Sequence, residues 1–228
     1  MEYLSNSQLY FSTEVDFSLT GEEAHHVIRV MRHRIGDKIF ITNGKGLIRE
    51  SKIISIENNR ILTGEEKNFI YENQLKHFTF CIPILKNPDR LSFAIEKSVE
   101  LGITNFTFYL SGVSLKKEIK LERFSKIGIA AMKQSLRAYL PDFQKISSLS
   151  DLNYENIFYF DQKGKTEITS AKFGKDKSTV FIFGSESGFS QKELKYLEKM
   201  ECLKLSVNRL RSETAIVTAA SLLSICNR

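Results

Sequence analysis

Three stretches of this sequence carry side chains that could do chemistry, and each directly follows an apolar run of strand length: residues 161–164, 184–188 and 206–214. In open α/β sheets ligands bind beyond the carboxyl ends of strands, so these are the places to look. The first runs into Gly164-Lys165-Thr166, like the end of a phosphate-binding loop. That loop needs glycine five positions earlier, and the residue there is Tyr159, which excludes a Walker nucleotide site. The second, Gly184-Ser185-Glu186-Ser187-Gly188, has the outline of a nucleophile elbow with glutamate where serine must stand, which excludes a serine hydrolase. What remains is a strand ending in a glycine-flanked turn ahead of a helix, where backbone N–H groups stay free and a polar ligand can come close. The third, Asn208-Arg209-Leu210-Arg211-Ser212-Glu213-Thr214-Ala215, sets two arginines at the start of an apolar helix. The positive end of a helix dipole disfavours cations there, so capping explains them poorly and a functional role is the better reading.

The elements that must position these residues follow from hydrophobic periodicity. From residue 79 onward short apolar runs at 79–85, 105–110, 156–160, 179–183 and 203–207 alternate with helical patterns at 89–101, 122–138, 191–200 and 212–225. That alternation predicts a largely parallel sheet covered by helices. Ser190 and Glu193 form a capping box at the head of the third helix. The polar stretch 163–178 reads as a loop.

Upstream the pattern differs. Thr20 and Glu23 make a second capping box, followed by Ala24, Val27, Ile28 and Met31 at helical spacing. After the Gly36-Asp37 turn come β-like segments at 38–42, 47–57 and 60–63, with an early strand at 8–11. The expected organisation is a small, mostly β domain at 1–71 and an α/β domain at 72–228.

Charge follows the same division. The net charge is +6, with nine Lys/Arg against ten Asp/Glu in residues 1–70 and 24 against 17 in the remainder. A polyanionic partner fits that surplus. Within the first part Arg29, Arg32 and Arg34 cluster around His33, where they could track phosphates. Cys81, Cys202 and Cys226 include no C-x-x-C pair, and the four histidines lack a metal-ligand spacing, so neither a disulfide framework nor a metal site is expected. Residues 1–10 read as neither signal peptide nor anchor, no apolar run reaches the ~20 residues of a membrane span, and the expected compartment is the cytoplasm.

Several fragments, in order and spacing, resemble the RsmE family of 16S ribosomal RNA uridine-N3 methyltransferases in the SPOUT superfamily. They are His25-His26-Val27-Ile28-Arg29-Val30-Met31-Arg32 with Gly36-Asp37; Glu96-Lys97 with Glu100-Leu101-Gly102; Gln134-Ser135 with Arg137 and Pro141; and Leu210-Arg211-Ser212-Glu213-Thr214-Ala215. The resemblance implies a PUA-like β-barrel ahead of a trefoil-knotted α/β methyltransferase domain, a homodimer, S-adenosyl-L-methionine as cofactor, and 16S ribosomal RNA of the small subunit as partner. Periodicity could not have announced a knot, which is a rare exception to the rules of chain threading.

The residues the resemblance places around the cofactor are Gly184, Glu186, Gly188, Leu205, Ser206, Leu210 and Thr214. Arg211 and Arg137 are the candidates for stabilising charge on the reacting uridine, with Glu213 orienting an arginine or assisting proton removal. Arg29, Arg32, Arg34, Lys86 and Arg90 are expected to contact RNA phosphates. Two family glycines are serine here, Ser187 and Ser206. If either position required left-handed backbone, a side chain there would cost roughly 1–2 kcal/mol and weaken cofactor binding. Two other readings stay open at this point: a non-catalytic RNA-binding homologue, and a 2′-O-ribose methyltransferase of the same superfamily.

Overall fold

The computed structural model describes residues 7–112, 118, 120–174 and 177–227. The chain forms two compact units, Met1–Asn73 with Ile129–Leu140, and Gln74–Gly128 with Pro141–Arg228. The return of 129–140 to the first unit is a feature the sequence reading does not contain.

In the first unit, strands β1 (Leu9–Phe11), β2 (Lys38–Thr42), β3 (Leu47–Glu57) and β4 (Arg60–Ile70) form one sheet in that order. β1 runs parallel to β2, the other pairs are antiparallel, and a bridge from Leu19 to Ile61 brings the segment after β1 back to β4. Tyr10, Leu19, Val27, Ile39, Ile41, Ile53 and Ile61 make its core. Helix α1 (Gly21–His25) continues as a π-helical turn, His26–Val30. The capping box expected at Thr20 is not made: its side chain caps nothing, and the Glu23 carboxylate accepts from the Phe11 N–H at 3.3 Å and pairs with Lys133. The helix stops because Arg32 adopts φ 58° and the His33 N–H turns back to the Val27 carbonyl at 3.1 Å.

The second unit holds β5 (Phe78–Pro83), α2 (Pro88–Glu100), β6 (Asn105–Tyr109), the start of α3 (Leu121–Gln134), β7 (Asp142–Ile146), β8 (Asn156–Phe160), β9 (Thr166–Glu167), β10 (Thr179–Ile182), α4 (Gln191–Leu197), β11 (Glu201–Lys204) and α5 (Ser212–Cys226). Its seven strands are ordered β7-β6-β5-β10-β8-β11-β9, every pair parallel. Both faces are covered, which is why β5 and β10 are buried at every residue and read as unbroken apolar runs. One face carries the aromatic rings of Phe78, Phe80, Phe160, Phe181 and Phe183; the other packs Cys81, Tyr109, Val180, Ile182 and Leu197.

One feature of the order is unusual: β11 lies between β8 and β9, although both precede it in the chain. The connection after β8 passes so close over β11 that a Cβ on Gly164 would stand 2.6 Å from the Leu203 backbone. Only glycine fits that crossing.

Four expectations are corrected. The stretch 163–178 is not wholly loop, since it contains β9 and a 3-10 turn, Ile168–Ser170, whose Ile168 is buried. β7 was missed because an edge strand of sequence DFQKI, half polar, gives little apolar signal. α3 ends at Gln134 instead of 138, where Leu136 with φ 56° breaks the pattern, and β4 runs on to Ile70.

Candidate active site

The carboxyl ends of three adjacent strands, β10, β8 and β11, open into a cavity of about 760 Å³. It lies where open parallel sheets bind ligands, and its volume suits a nucleoside-sized molecule. The residues after β8 supply Phe160, Asp161, Gln162 and Lys163; those after β10 supply a continuous wall from Phe183 to Phe189; those after β11 supply Leu205, Ser206, Asn208, Arg209, Leu210 and Arg211, continued by Ser212 and Ala215 of α5. Arg90 closes the lining from the first turn of α2. Asn87 fixes that turn by capping the N–H groups of Asp89 and Arg90, with Pro88 at the first helical position.

The glycine turn and the arginine-bearing stretch converge directly. The Ser212 hydroxyl donates to the Gly184 carbonyl at 3.0 Å, joining the head of α5 to the end of β10. Within the turn Gly188 has φ 78° and open space where a Cβ would stand, so its glycine answers to backbone geometry. The Ser185 hydroxyl donates to the Gly188 carbonyl at 2.7 Å and braces the same bend. Glu186 reaches out of the turn to accept from the Lys86 N–H at 2.9 Å, which ties the loop after β5 to it.

The two serines are accommodated. Neither Ser187 nor Ser206 has a positive φ, so the condition under which they would weaken cofactor binding is not met. Ser206 instead accepts from the Asn208 N–H at 3.2 Å, shaping the loop ahead of the arginines.

Electrostatically the cavity is mixed. Arg90, Lys163, Arg209 and Arg211 line it alongside Asp161 and Glu186, with Phe160, Phe183, Phe189, Leu205 and Leu210 as apolar surface. Such a lining can hold a ligand that is a zwitterion at one end and an aromatic ring at the other. Arg211 is exposed and occupies the N-cap position of α5 without capping it, so its guanidinium is not spent on the helix.

Of the residues singled out from sequence, Gly184, Glu186, Gly188, Leu205, Ser206, Leu210 and Arg211 line this cavity, as does Arg90. Thr214 does not. It is exposed on α5, because at 100° per residue Ser212 and Ala215 face the cavity and Thr214 is rotated away. Glu213 is also outside the lining, buried beneath it, with Oε1 3.5 Å from Arg90 Nε. Lys86 is exposed and contributes its backbone through Glu186. Arg137 belongs to the first unit and is not among the lining residues. Arg29, Arg32 and Arg34 are exposed in the first unit. Asp161, Phe189 and Arg209 are lining residues that were not on the list, although their place just past an apolar run or beside Arg211 marked them.

Among the described residues no group of three or more His, Cys, Asp or Glu side chains could hold a metal ion, and no helix is long and apolar enough to cross a membrane.

The fold has counterparts. Residues 72–224 match the family model for the RNA methyltransferase domain, and residues 19–66 match that for the RNA methyltransferase PUA domain. The chain is 28% identical to the ribosomal RNA small subunit methyltransferase E of Bacillus subtilis, covering 91% of this chain and 89% of that one. It is 26% identical to the protein of the same name from Rickettsia conorii, covering 94% and 91%. The crystal structure of ribosomal RNA small subunit methyltransferase E from Neisseria gonorrhoeae, bound to S-adenosyl methionine, has the same fold, with a TM-score of 0.84 at 22% identity over 96% of this chain and 98% of that one. A PUA-like unit, a parallel sheet with its cavity at three strand ends, and relatives aligned over nearly their whole length place this chain in the RNA methyltransferase family, as a member of the RsmE group of the SPOUT superfamily.

Proposed function

We propose that the protein methylates N3 of a uridine in 16S ribosomal RNA, with S-adenosyl-L-methionine as methyl donor. The observation that carries this reading is the convergence, through Ser212 and Gly184, of the Gly184–Gly188 turn with the arginine stretch at one cavity. The donor named in the Neisseria structure fits the lining: apolar side chains for an adenine, carboxylates of Asp161 and Glu186 for an ammonium, and Lys163 or Arg209 for a carboxylate. When bound, it supplies an electrophilic methyl group on a sulfonium.

The protein's own residues do the rest. N3 lies on the Watson–Crick edge, so the uridine must be unpaired to enter. As N3 loses its proton, charge spreads to the ring carbonyl oxygens, and Arg211 stabilises it, a role supported by its place in the cavity lining and by its capping nothing on α5. Glu213 orients Arg90, its ion-pair partner. Arg137 is kept as a candidate contact to the target base, and Thr214 is set aside as a cofactor contact. Arg29, Arg32, Arg34 and Lys86 are proposed phosphate contacts, residues 1–71 with the returning 129–140 the RNA-binding part.

The finer architecture belongs to the same reading. A trefoil knot is supported by β11 lying between two earlier strands, and a barrel in the first unit by the Leu19–Ile61 bridge. A homodimer is supported by α5, which carries apolar residues around its whole circumference and leaves Ile225 exposed. The compartment proposed is the cytoplasm, where ribosomes are assembled.

The test is methyl transfer to unmodified small subunits, followed by mass spectrometry of digested ribosomal RNA. Methylated N3 of uridine is expected. A methyl on the ribose, or no transfer with the donor bound, overturns the reading. Arg211→Ala should lower kcat about 100-fold while leaving the unfolding midpoint in place.

A further inference from the structure

We propose that Glu193 and Tyr109, neither of which lines the cavity, are positioning residues that tie both flanks of the Gly184–Gly188 turn to the end of β6, across β5. The proposal rests on the methyl-donor reading of that turn.

The turn is entered through Phe183 and left through Phe189, both of which line the cavity. At the entry, the Tyr109 hydroxyl at the end of β6 donates to the Phe183 carbonyl at 2.7 Å. At the exit, the Glu193 carboxylate accepts from the Ser190 N–H at 2.6 Å. That carboxylate does more than close a capping box. The same oxygen accepts from the Ser111 hydroxyl at 3.3 Å, and the other oxygen accepts from the Gly112 N–H at 3.0 Å. Three donors converge on one carboxylate that is only 8% exposed. A helix cap alone needs no such burial, and neither does it need a partner 81 residues away in sequence.

The geometry points to a brace. β6 does not pair with β10, because β5 stands between them in the sheet. Tyr109, Ser111 and Gly112 reach across β5, with the buried Cys81 beneath, to fix residues on the two flanks of the turn. The approach is close: a Cβ on Gly112 would meet the Ser190 hydroxyl at 2.9 Å. Side chains that touch no ligand thereby set the separation of Phe183 and Phe189.

The experiment uses full-length Glu193→Gln, Glu193→Ala and Tyr109→Phe, with Glu23→Gln as a control that breaks a carboxylate pairing in the first unit. S-adenosylmethionine affinity is measured by calorimetry, and kcat and its KM at saturating RNA. Tyr109→Phe and Glu193→Gln should each raise the Kd and KM for S-adenosylmethionine about tenfold, the scale of one lost hydrogen bond to a charged or buried group, with kcat at saturation within about threefold. Glu193→Ala should exceed Glu193→Gln, whose remaining carbonyl still accepts. Glu23→Gln should leave that KM unchanged. Folded Tyr109→Phe and Glu193→Gln that bind within about twofold of the parent, or that lose kcat with KM unchanged, overturn the proposal. If Glu193→Ala fails to fold, Tyr109→Phe alone decides. A parent protein that does not bind S-adenosylmethionine would instead sink the reading of the cavity.

Discussion

Arg90 Nε stands 3.5 Å from Glu213 Oε1, joining the first turn of α2 to the first turn of α5, while the second Glu213 oxygen is buried with no hydrogen-bond partner among the described residues. The pair sits at the edge of the cavity, with the carboxylate side chain 12% exposed and the arginine 39%. Removing the cation should hurt more than removing both charges, since a lone buried carboxylate keeps its desolvation cost. Arg90→Met is therefore expected to lower unfolding free energy by about 1–3 kcal/mol, and Arg90→Met with Glu213→Gln by clearly less than the sum of the two single changes. Denaturant titration of the four proteins measures the coupling; additive losses would show the contact to be idle.

In the Gly184–Gly188 turn, left-handed backbone calls for glycine at Gly188. Gly188 has φ 78°, so Gly188→Ala forces an alanine into left-handed backbone at roughly 1–2 kcal/mol, and S-adenosylhomocysteine should bind about tenfold more weakly. Ser187 and Ser206 are in ordinary backbone regions, and Ser187→Gly and Ser206→Gly should gain no affinity. Tighter binding by either glycine variant would contradict the backbone assignment.

Arg32 holds a backbone conformation that glycine adopts at no cost, at the end of the π-helical turn. Arg32→Gly should raise stability by up to about 1 kcal/mol and weaken RNA binding, with a shallower salt dependence. Thermal unfolding and filter binding at several salt concentrations test both halves. A variant that is more stable and binds RNA normally would remove Arg32 from the phosphate contacts.

Tyr10 is fully buried, its hydroxyl has no hydrogen-bond partner among the described residues, and burial followed by the Glu23 carboxylate pushes its pKa from 10.0 up to about 12. Below pH 10 the folded and unfolded chains hold the same proton, so the neutral phenol's contribution is intact. Between pH 10 and about 12 the unfolded chain releases the proton and the folded chain keeps it, so stability falls across that window by on the order of 1 kcal/mol per pH unit. Tyr10→Phe should be no less stable at neutral pH and should flatten the alkaline decline. Urea midpoints from pH 8 to 11.5 would reveal it, and an unchanged slope would place the loss elsewhere.

Much of the second unit could be read from its residues because strands buried on both faces, such as β5 and β10, are apolar at nearly every position and stand out between helical patterns. The capping box at Ser190 and Glu193 was legible and forms; the one at Thr20 and Glu23 was equally legible and does not, because Phe11 and Lys133 compete for the same carboxylate. Those competitors come from distant parts of the chain, and a local pattern cannot register them. Thr214 falls outside the cavity lining for a related reason. The motif gave its order in sequence, while helix rotation decides which neighbours face the cavity. Arg211 could be singled out because its charge at a helix start had no local purpose. Arg90 was expected at RNA phosphates, and its pairing with Glu213 depends on α5 being brought to α2, which no local pattern records.

The position of β11 has a consequence for how the protein comes into being. Among the described residues β9 pairs with no strand except β11, and one wall of the cavity is built from residues that follow β11. On a chain made from its amino end, β8 and β9 therefore emerge with a vacant lane between them, and everything upstream can be in place without a usable pocket. The residues from β11 to the head of α5 are the last part of the lining to be made, and β11 must pack against Gly164 before the pocket is complete. A chain that ended before β11 would keep the earlier strands and lack that wall of the cavity.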